Sequence, residues 1–243
     1  ANVPFVLRFM IDAGISGASW VELEGGTYNI RAEDKKASRC QIEVDVCFDR
    51  VIAHDASDKN YSHLAPLRIL SFDIECQGRK GHFPEPEQDP VIQIANVVNV
   101  QGEEKPICKN VFTLNSCLPI VGAEVITSET EEDLLQKWSA FLRAVDPDII
   151  TGYNIQNFDV PYVLSRAKVL GKRSSKLNRF AEWGRIKSSL ARMRETTFES
   201  SAHGKRENVE TTVEGRVIFD MIQYMYRNHK LSSYSLNNVS AEF

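Results

Sequence analysis

Two carboxylates separated by a single isoleucine close the stretch Ser-Phe-Asp-Ile-Glu, residues 71–75. In a strand successive side chains point to opposite faces, so Asp73 and Glu75 share one face while Phe72 and Ile74 share the other. Two acids side by side repel unless a cation or water lies between them. A third acid, Asp159, ends the stretch Thr-Gly-Tyr-Asn-Ile-Gln-Asn-Phe-Asp, residues 151–159. Taken by itself, this second stretch reads equally as a helix start, with Asn157 or Asp159 as the cap and Pro161 in the first turn. Together the two stretches suggest strand ends on one edge of an α/β sheet, where functional groups gather. Three carboxylates from separate elements make a hard, oxygen-only site. It suits Mg²⁺ or Mn²⁺ rather than zinc, and no His or Cys is placed to compete.

The elements that must position these acids follow from periodicity. Residues 67–74 read as an apolar strand running into Asp73 and Glu75, and the Pro-rich 81–90 stretch after it reads as an exposed connection. Residues 91–100 and 107–114 read as two further strands joined at Gln101-Gly102. Leu134, Leu135, Trp138, Phe141, Leu142 and Val145 recur at helical spacing, with Ser128 and Glu131 as a capping box and Asp146-Pro147 as the stop. Residues 148–153 then form a short strand, 158–171 a helix closed by Gly171, 215–220 a strand, and 221–231 a helix. Between about 172 and 214 no period dominates. Ahead of Pro66 the pattern differs: residues 41–48 alternate, with Ile42, Val44, Val46 and Phe48 on one face, and 5–11 and 27–31 are further strand candidates. We therefore expect a small β-rich domain over 1–66 and an α/β domain over 67–243, with a mixed sheet and flanking helices.

Composition narrows the classes. With 243 residues, net charge −4 and 26% charged residues, the chain matches a soluble globular protein, and its apolar runs are too short to span a bilayer. It begins without Met or a signal pattern, which suggests a piece of a longer protein. The five cysteines are irregularly spaced and include no Cys-x-x-Cys pair, so neither a disulfide framework nor a zinc site is expected, and a reducing compartment fits. Residues 166–194 hold ten Lys and Arg against one acid, Glu182. That stretch is either a phosphate-attracting field or a solvated face.

The Phe-Asp-Ile-Glu stretch, followed by Gly-Tyr-Asn-Ile-Gln-Asn-Phe-Asp-Val-Pro-Tyr, resembles the first two exonuclease motifs of the family B DNA polymerases, members of the DEDD class of 3′–5′ exonucleases. The resemblance runs through almost all of the chain after Pro66. It implies an RNase H-like fold and a two-metal site that hydrolyses the terminal phosphodiester at a single-stranded 3′ end of DNA. Asp73 would bridge the metals, Glu75 would hold the nucleophile-side ion and Asp159 the other, and Asn154 and Phe158 would meet the unpaired end. It also implies a nuclear replicative polymerase whose remaining chain, accessory subunits and sliding clamp are partners. The family's fourth acid lies in a Tyr-x-x-x-Asp motif expected beyond residue 243, which would leave the isolated chain weakly active or inactive. Tyr234 to Asn238 is not a degenerate copy of that motif, and Asp220 reads first as a helix cap. The alternatives are a non-catalytic DNA-binding or structural domain and a free-standing DEDD nuclease acting on RNA. No polymerase active-site motif is present, so DNA synthesis is not expected of this chain.

Overall fold

The computed structural model describes residues 3–200 and 204–243. The chain divides into two compact units, Ala1–Pro66 and Leu67–Phe243.

In the first unit, helix α1 (Phe5–Asp12) precedes four three-residue strands: β1 (Val21–Leu23), β2 (Tyr28–Ile30), β3 (Val44–Val46) and β4 (Val51–Ala53). They pair as two antiparallel ribbons, β1 with β4 and β2 with β3. Two expectations are corrected here. Residues 5–11 form a helix rather than a strand, entered after Pro4 and carrying an Arg8–Asp12 ion pair at 2.6 Å across one turn. The alternating stretch 41–48 pairs only over β3, because the chain turns away into a 3₁₀ turn at Phe48–Arg50 and leaves Ile42 and Phe48 exposed. Arg31 closes this small unit, bridging Glu43 at 2.8 Å and Asp45 at 2.5 Å.

The second unit is built on β5 (Arg68–Cys76), β6 (Val91–Val100), β7 (Cys108–Leu114), β8 (Glu124–Ser128), helix α2 (Glu131–Val145), β9 (Ile149–Gly152) and helix α3 (Asp159–Gly171). A hairpin follows, β10 (Arg192–Ser200) with β11 (Gly204–Thr212), then β12 (Val217–Asp220), α4 (Met221–Asn228) and α5 (Leu236–Glu242). The sheet is six-stranded in the order β12-β9-β5-β6-β7-β8. β12, β9 and β5 run parallel, β6 is antiparallel to both β5 and β7, and β8 returns parallel to β7. This mixed α/β layering is the one expected of an RNase H-like fold.

One sheet face carries the core. Leu70, Phe72 and Ile74 of β5, Ile94 and Val98 of β6 and Phe112 of β7 pack with Leu134, Leu135, Trp138 and Leu142 of α2 and Val160, Val163 and Ala167 of α3. Trp138 is fully buried, and its indole N–H donates to Asn96 Oδ1 at 2.9 Å, which satisfies the one polar atom of the ring. α2 starts two residues later than a cap at Ser128 would place it. Ser128 is still paired in β8, so Thr130 becomes the cap and accepts from the Asp133 amide. The helix stops at Asp146, whose left-handed backbone (φ 50°) ends the helix before Pro147.

Candidate active site

Asp73 and Glu75 lie on the sheet face opposite the core: Phe72 and Ile74 are buried, while the two acids are exposed. Neither carboxylate makes a hydrogen bond or ion pair among the described residues, though the backbone of both is paired in the β5–β6 ladder. Immediately after Glu75 the register with β6 slips, Glu75 facing Gln93 and Cys76 facing Val91. Such a bulge re-aims the side chains beside it, which is why bulges recur at functional edges.

β9 pairs with β5 only as far as Ser71↔Thr151. Beyond that point the edge of β5 has no strand partner, and Asp159 supplies one: its Oδ1 accepts the Ile74 amide at 3.0 Å. The first residue of α3 is thus fixed at the amide lying between Asp73 and Glu75. Gly152 makes this approach possible. A Cβ there would stand 2.3 Å from Ile155 Cγ2 and 2.6 Å from the Phe72 carbonyl, so only glycine lets β9 end so close to β5.

The turn from β9 to α3 is held from a third strand. Asn154 takes a left-handed conformation (φ 63°), which Asn tolerates better than most residues. Its amide donates to Asp220 Oδ1 at 2.8 Å and the Gln156 amide donates to Asp220 Oδ2 at 2.9 Å. Asp220, at the end of β12, also accepts the Ile222 amide at 3.1 Å and so caps α4. With both oxygens committed to backbone amides, Asp220 acts as a structural anchor of the turn. Its cap role is legible in the sequence; its hold on residues 154–156 is not, because that depends on β12 lying beside β9.

Phe158 is half-buried and meets Tyr162 at 5.5 Å between ring centroids. It also meets Phe83, from the 78–90 loop, edge-on at 5.3 Å. Phe83 is 74% exposed, and sequence pattern assigned it no part in the site. The only sequence signal was an aromatic residue within a Pro-rich connection. β11 approaches from the other side, the Val209 amide donating to Asn157 Oδ1 and the Thr211 amide to Gln156 Oε1, each at 3.3 Å.

The electrostatics are one-sided. Burial pushes the Asp159 carboxyl up to about 7; the Ile74 amide opposes this, and the charges of Asp73 and Asp220 add to it. Asp73, exposed as a residue but with its carboxyl partly shielded, is likewise raised, by that partial burial first and by Glu75 second. No Lys or Arg among the described residues offsets either of them. Cys76 lies on the core face of β5 with Phe72 and Ile74, and burial pushes its thiol up to about 12. An all-oxygen, anionic set without a cationic side chain fits a hard divalent cation. Among the described residues, however, no three such groups stand as a ready-made metal cluster. Asp73 and Asp159 come together at the Ile74 amide, while Glu75 shares the face of Asp73 and stays in solvent.

Four of the ten cations of the basic stretch are paired with acids. Arg166 pairs with Glu131, Lys176 with Asp133, Arg179 with Glu182, and Arg185 with Asp146 and Asp148. Lys168, Lys172, Arg173, Arg192 and Arg194 remain at the surface.

This fold and site define an exonuclease domain of the polymerase type. The family model for the DNA polymerase family B exonuclease domain matches residues 1–239, and the chain belongs to that family. It is similar to the DNA polymerase delta catalytic subunit of Oryza sativa subsp. japonica, 53% identical over all of this chain and 21% of that protein. The corresponding subunits of Drosophila melanogaster and Mesocricetus auratus are each 51% identical over all of this chain, which covers 22% and 21% of them. The chain therefore spans about a fifth of the length of these eukaryotic relatives.

Proposed function

We propose that this domain removes nucleotides from the single-stranded 3′ end of DNA as the proofreading 3′–5′ exonuclease of a delta-type replicative polymerase. The observation that carries this reading is the Asp159 carboxylate lodged at the Ile74 amide beside Asp73, in a group of acids with no cationic side chain to balance it. Asp73, Glu75 and Asp159 would hold two divalent ions, Mg²⁺ or Mn²⁺. Bound there, such ions supply hydroxide at neutral pH and neutralise charge on the phosphorus and the departing oxygen.

The protein's own residues do the rest. Asp159 must be ionised to act as a ligand, and its raised carboxyl makes that step easier at neutral than at acid pH. Asn154 and Phe158 stand on the turn next to Asp159, where the terminal nucleotide would be met, and Phe83 offers a second ring. An aromatic face holds an unstacked base of any sequence with about 1–3 kcal/mol. Water adds to phosphorus, the bond to the 3′ oxygen of the penultimate nucleotide breaks, and a nucleoside 5′-monophosphate leaves. A mismatched end costs less to unpair, so it reaches such a site more often than a paired one. The rest of the polymerase chain, accessory subunits and a sliding clamp are the partners this reading assigns, and the nucleus is its compartment. Asp220 is given no metal role.

The test is excision and synthesis measured side by side in the full-length protein. Asp73→Ala should abolish stepwise shortening of a 5′-labelled single-stranded oligonucleotide in Mg²⁺ and leave primer extension within a few-fold of the parent. Equal loss of both activities refutes the assignment. Shortening of RNA but not DNA would favour the free-standing nuclease.

A further inference from the structure

The 78–90 loop is held down far more firmly than a connection between two strands requires. Its ends close through the Gln77 amide on the Pro90 carbonyl at 2.9 Å. Inside it, buried Asp89 accepts Arg79 Nε at 3.0 Å and the Glu85 amide at 2.8 Å, and Arg79 also reaches Glu85 at 2.6 Å. Two side chains of α3 then bind the loop's backbone from below. Tyr162 Oη donates to the Asp89 carbonyl at 2.7 Å, and Arg166 Nη1 donates to the Pro86 carbonyl at 3.0 Å. Arg166 is itself fixed by a buried two-pronged pair with Glu131, at 2.9 and 2.7 Å, and Glu131 accepts the Val91 amide where β6 begins.

Asp159, Tyr162 and Arg166 fall at i, i+3 and i+7, on one face of one helix. That face thus carries the candidate catalytic acid at its start and the two loop anchors behind it. What the anchored loop presents is Phe83, edge-on to Phe158 and 74% exposed. An apolar ring kept in water by a rigid mount is a poor solution for stability alone, since burying it would gain about 25 cal/mol for each Å² covered. It is a good solution for preorganised binding, where fixing the ring beforehand removes an ordering cost from association.

We propose that Tyr162 and Arg166 are positioning residues for the exonuclease reaction: they lock the 78–90 loop to the helix that begins with Asp159, and so hold Phe83 beside Phe158 where the unstacked base arrives. This rests on the catalytic reading above. Neither residue touches the nucleotide; both act through Phe83.

The test uses the full-length protein and a single-stranded oligonucleotide with 2-aminopurine at its 3′ end, whose fluorescence falls when the base stacks on an aromatic ring. Binding is titrated in EDTA, without chemistry. Tyr162→Phe keeps the ring in the core and removes the loop bond together with the hydroxyl's contact to the Cys76 thiol; it should weaken binding about three- to tenfold and reduce the stacking signal. Arg166→Lys should act in the same direction. The double variant Tyr162→Phe/Phe83→Ala should bind no more weakly than Phe83→Ala, because the anchor works only through the ring. Ser139→Ala controls for stability: it also loses a buried hydrogen bond, Ser139 Oγ to the Phe180 carbonyl at 2.9 Å, and it should bind as the parent does. Additive losses in the double variant, or an equal loss in Ser139→Ala, overturn the proposal. Excision that survives Asp73→Ala overturns the catalytic reading beneath it, and that failure is read in a separate assay.

Discussion

Replacing Asp159 by Asn makes the charge strain in this site measurable. Asp159 is 2% exposed, has the Ile74 amide and its own amide for company but no cation, and burial pushes its carboxyl up to about 7. In the unfolded chain the same group releases its proton near 3.8. Between those values the folded protein keeps a proton that the unfolded one has lost, so stability falls as pH rises. At about 1.4 kcal/mol for each pH unit, the loss reaches about 4 kcal/mol and is complete above pH 7. Asn is neutral throughout and keeps an Oδ1 acceptor for the Ile74 amide. Asp159→Asn should therefore gain on the parent by about 3 kcal/mol between pH 5 and pH 7 and level off above pH 7. Urea unfolding of both proteins in EDTA at pH 5, 6, 7 and 8 measures this difference directly. Asp89, held low first by the Glu85 amide and then by Arg79, and Asp146, held low against its burial by Arg185 and Arg216, titrate below this window and cancel between the two proteins. A difference that stays flat across the four pH values refutes the reasoning. Millimolar Mn²⁺ at pH 7.5 should raise the melting temperature of the parent and leave that of the variant nearly unmoved, since a ligand of the folded state stabilises it.

Gly152→Ala places a methyl group 2.6 Å from the Phe72 carbonyl, so β9 must move away from β5. It should cost about 1–3 kcal/mol in a urea titration, and a midpoint equal to the parent's would show that the approach is not tight. Reversing Lys172 and Arg173 should weaken single-stranded DNA binding and lower its salt slope by about one for each phosphate no longer neutralised. Reversing Arg179 should do less, because Glu182 already neutralises it. A salt slope unchanged by the first pair would mark the stretch as a solvated surface.

What was legible in the sequence is what local periodicity can carry. The alternation of residues 71–75 placed Asp73 and Glu75 on one face, and the helical spacing from Leu134 to Val145 placed α2 within a few residues of its observed bounds. The β10–β11 hairpin escaped because its strands, such as Arg-Met-Arg-Glu-Thr-Thr, have no apolar alternation and so no visible core face. β8 escaped because it is short and its last residue, Ser128, mimics a helix cap. Residues 5–11 misled because a short apolar run fits either period, and only the Arg8–Asp12 pair favours the helix. The role of Gly152, the reach of Asp220 to residues 154–156 and the meeting of Phe83 with Phe158 depend on strand order and loop path, which no local pattern encodes.

The contrast among the buried acids of this domain argues that the strain at Asp159 is placed rather than incidental. Asp89 is met by Arg79 and by the Glu85 amide, and is held below the usual carboxylate range. Glu131 is met two-pronged by Arg166, and Asp220 by three backbone amides. Half-buried Asp146, which ends α2, has both Arg185 and Arg216. The fold thus supplies cations or amides generously wherever a carboxylate serves only structure. At Asp159 it supplies the Ile74 amide and the residue's own, brings Asp73 close and sets no cation against the charge. A buried carboxylate without a partner is strongly destabilising, and a fold so well furnished with arginines elsewhere could relieve it with one more. A cation that binds and leaves, unlike a fixed guanidinium, offsets the charge while keeping a coordination position open to a phosphate. The arrangement is therefore better explained by phosphate chemistry at this edge of the sheet than by folding alone.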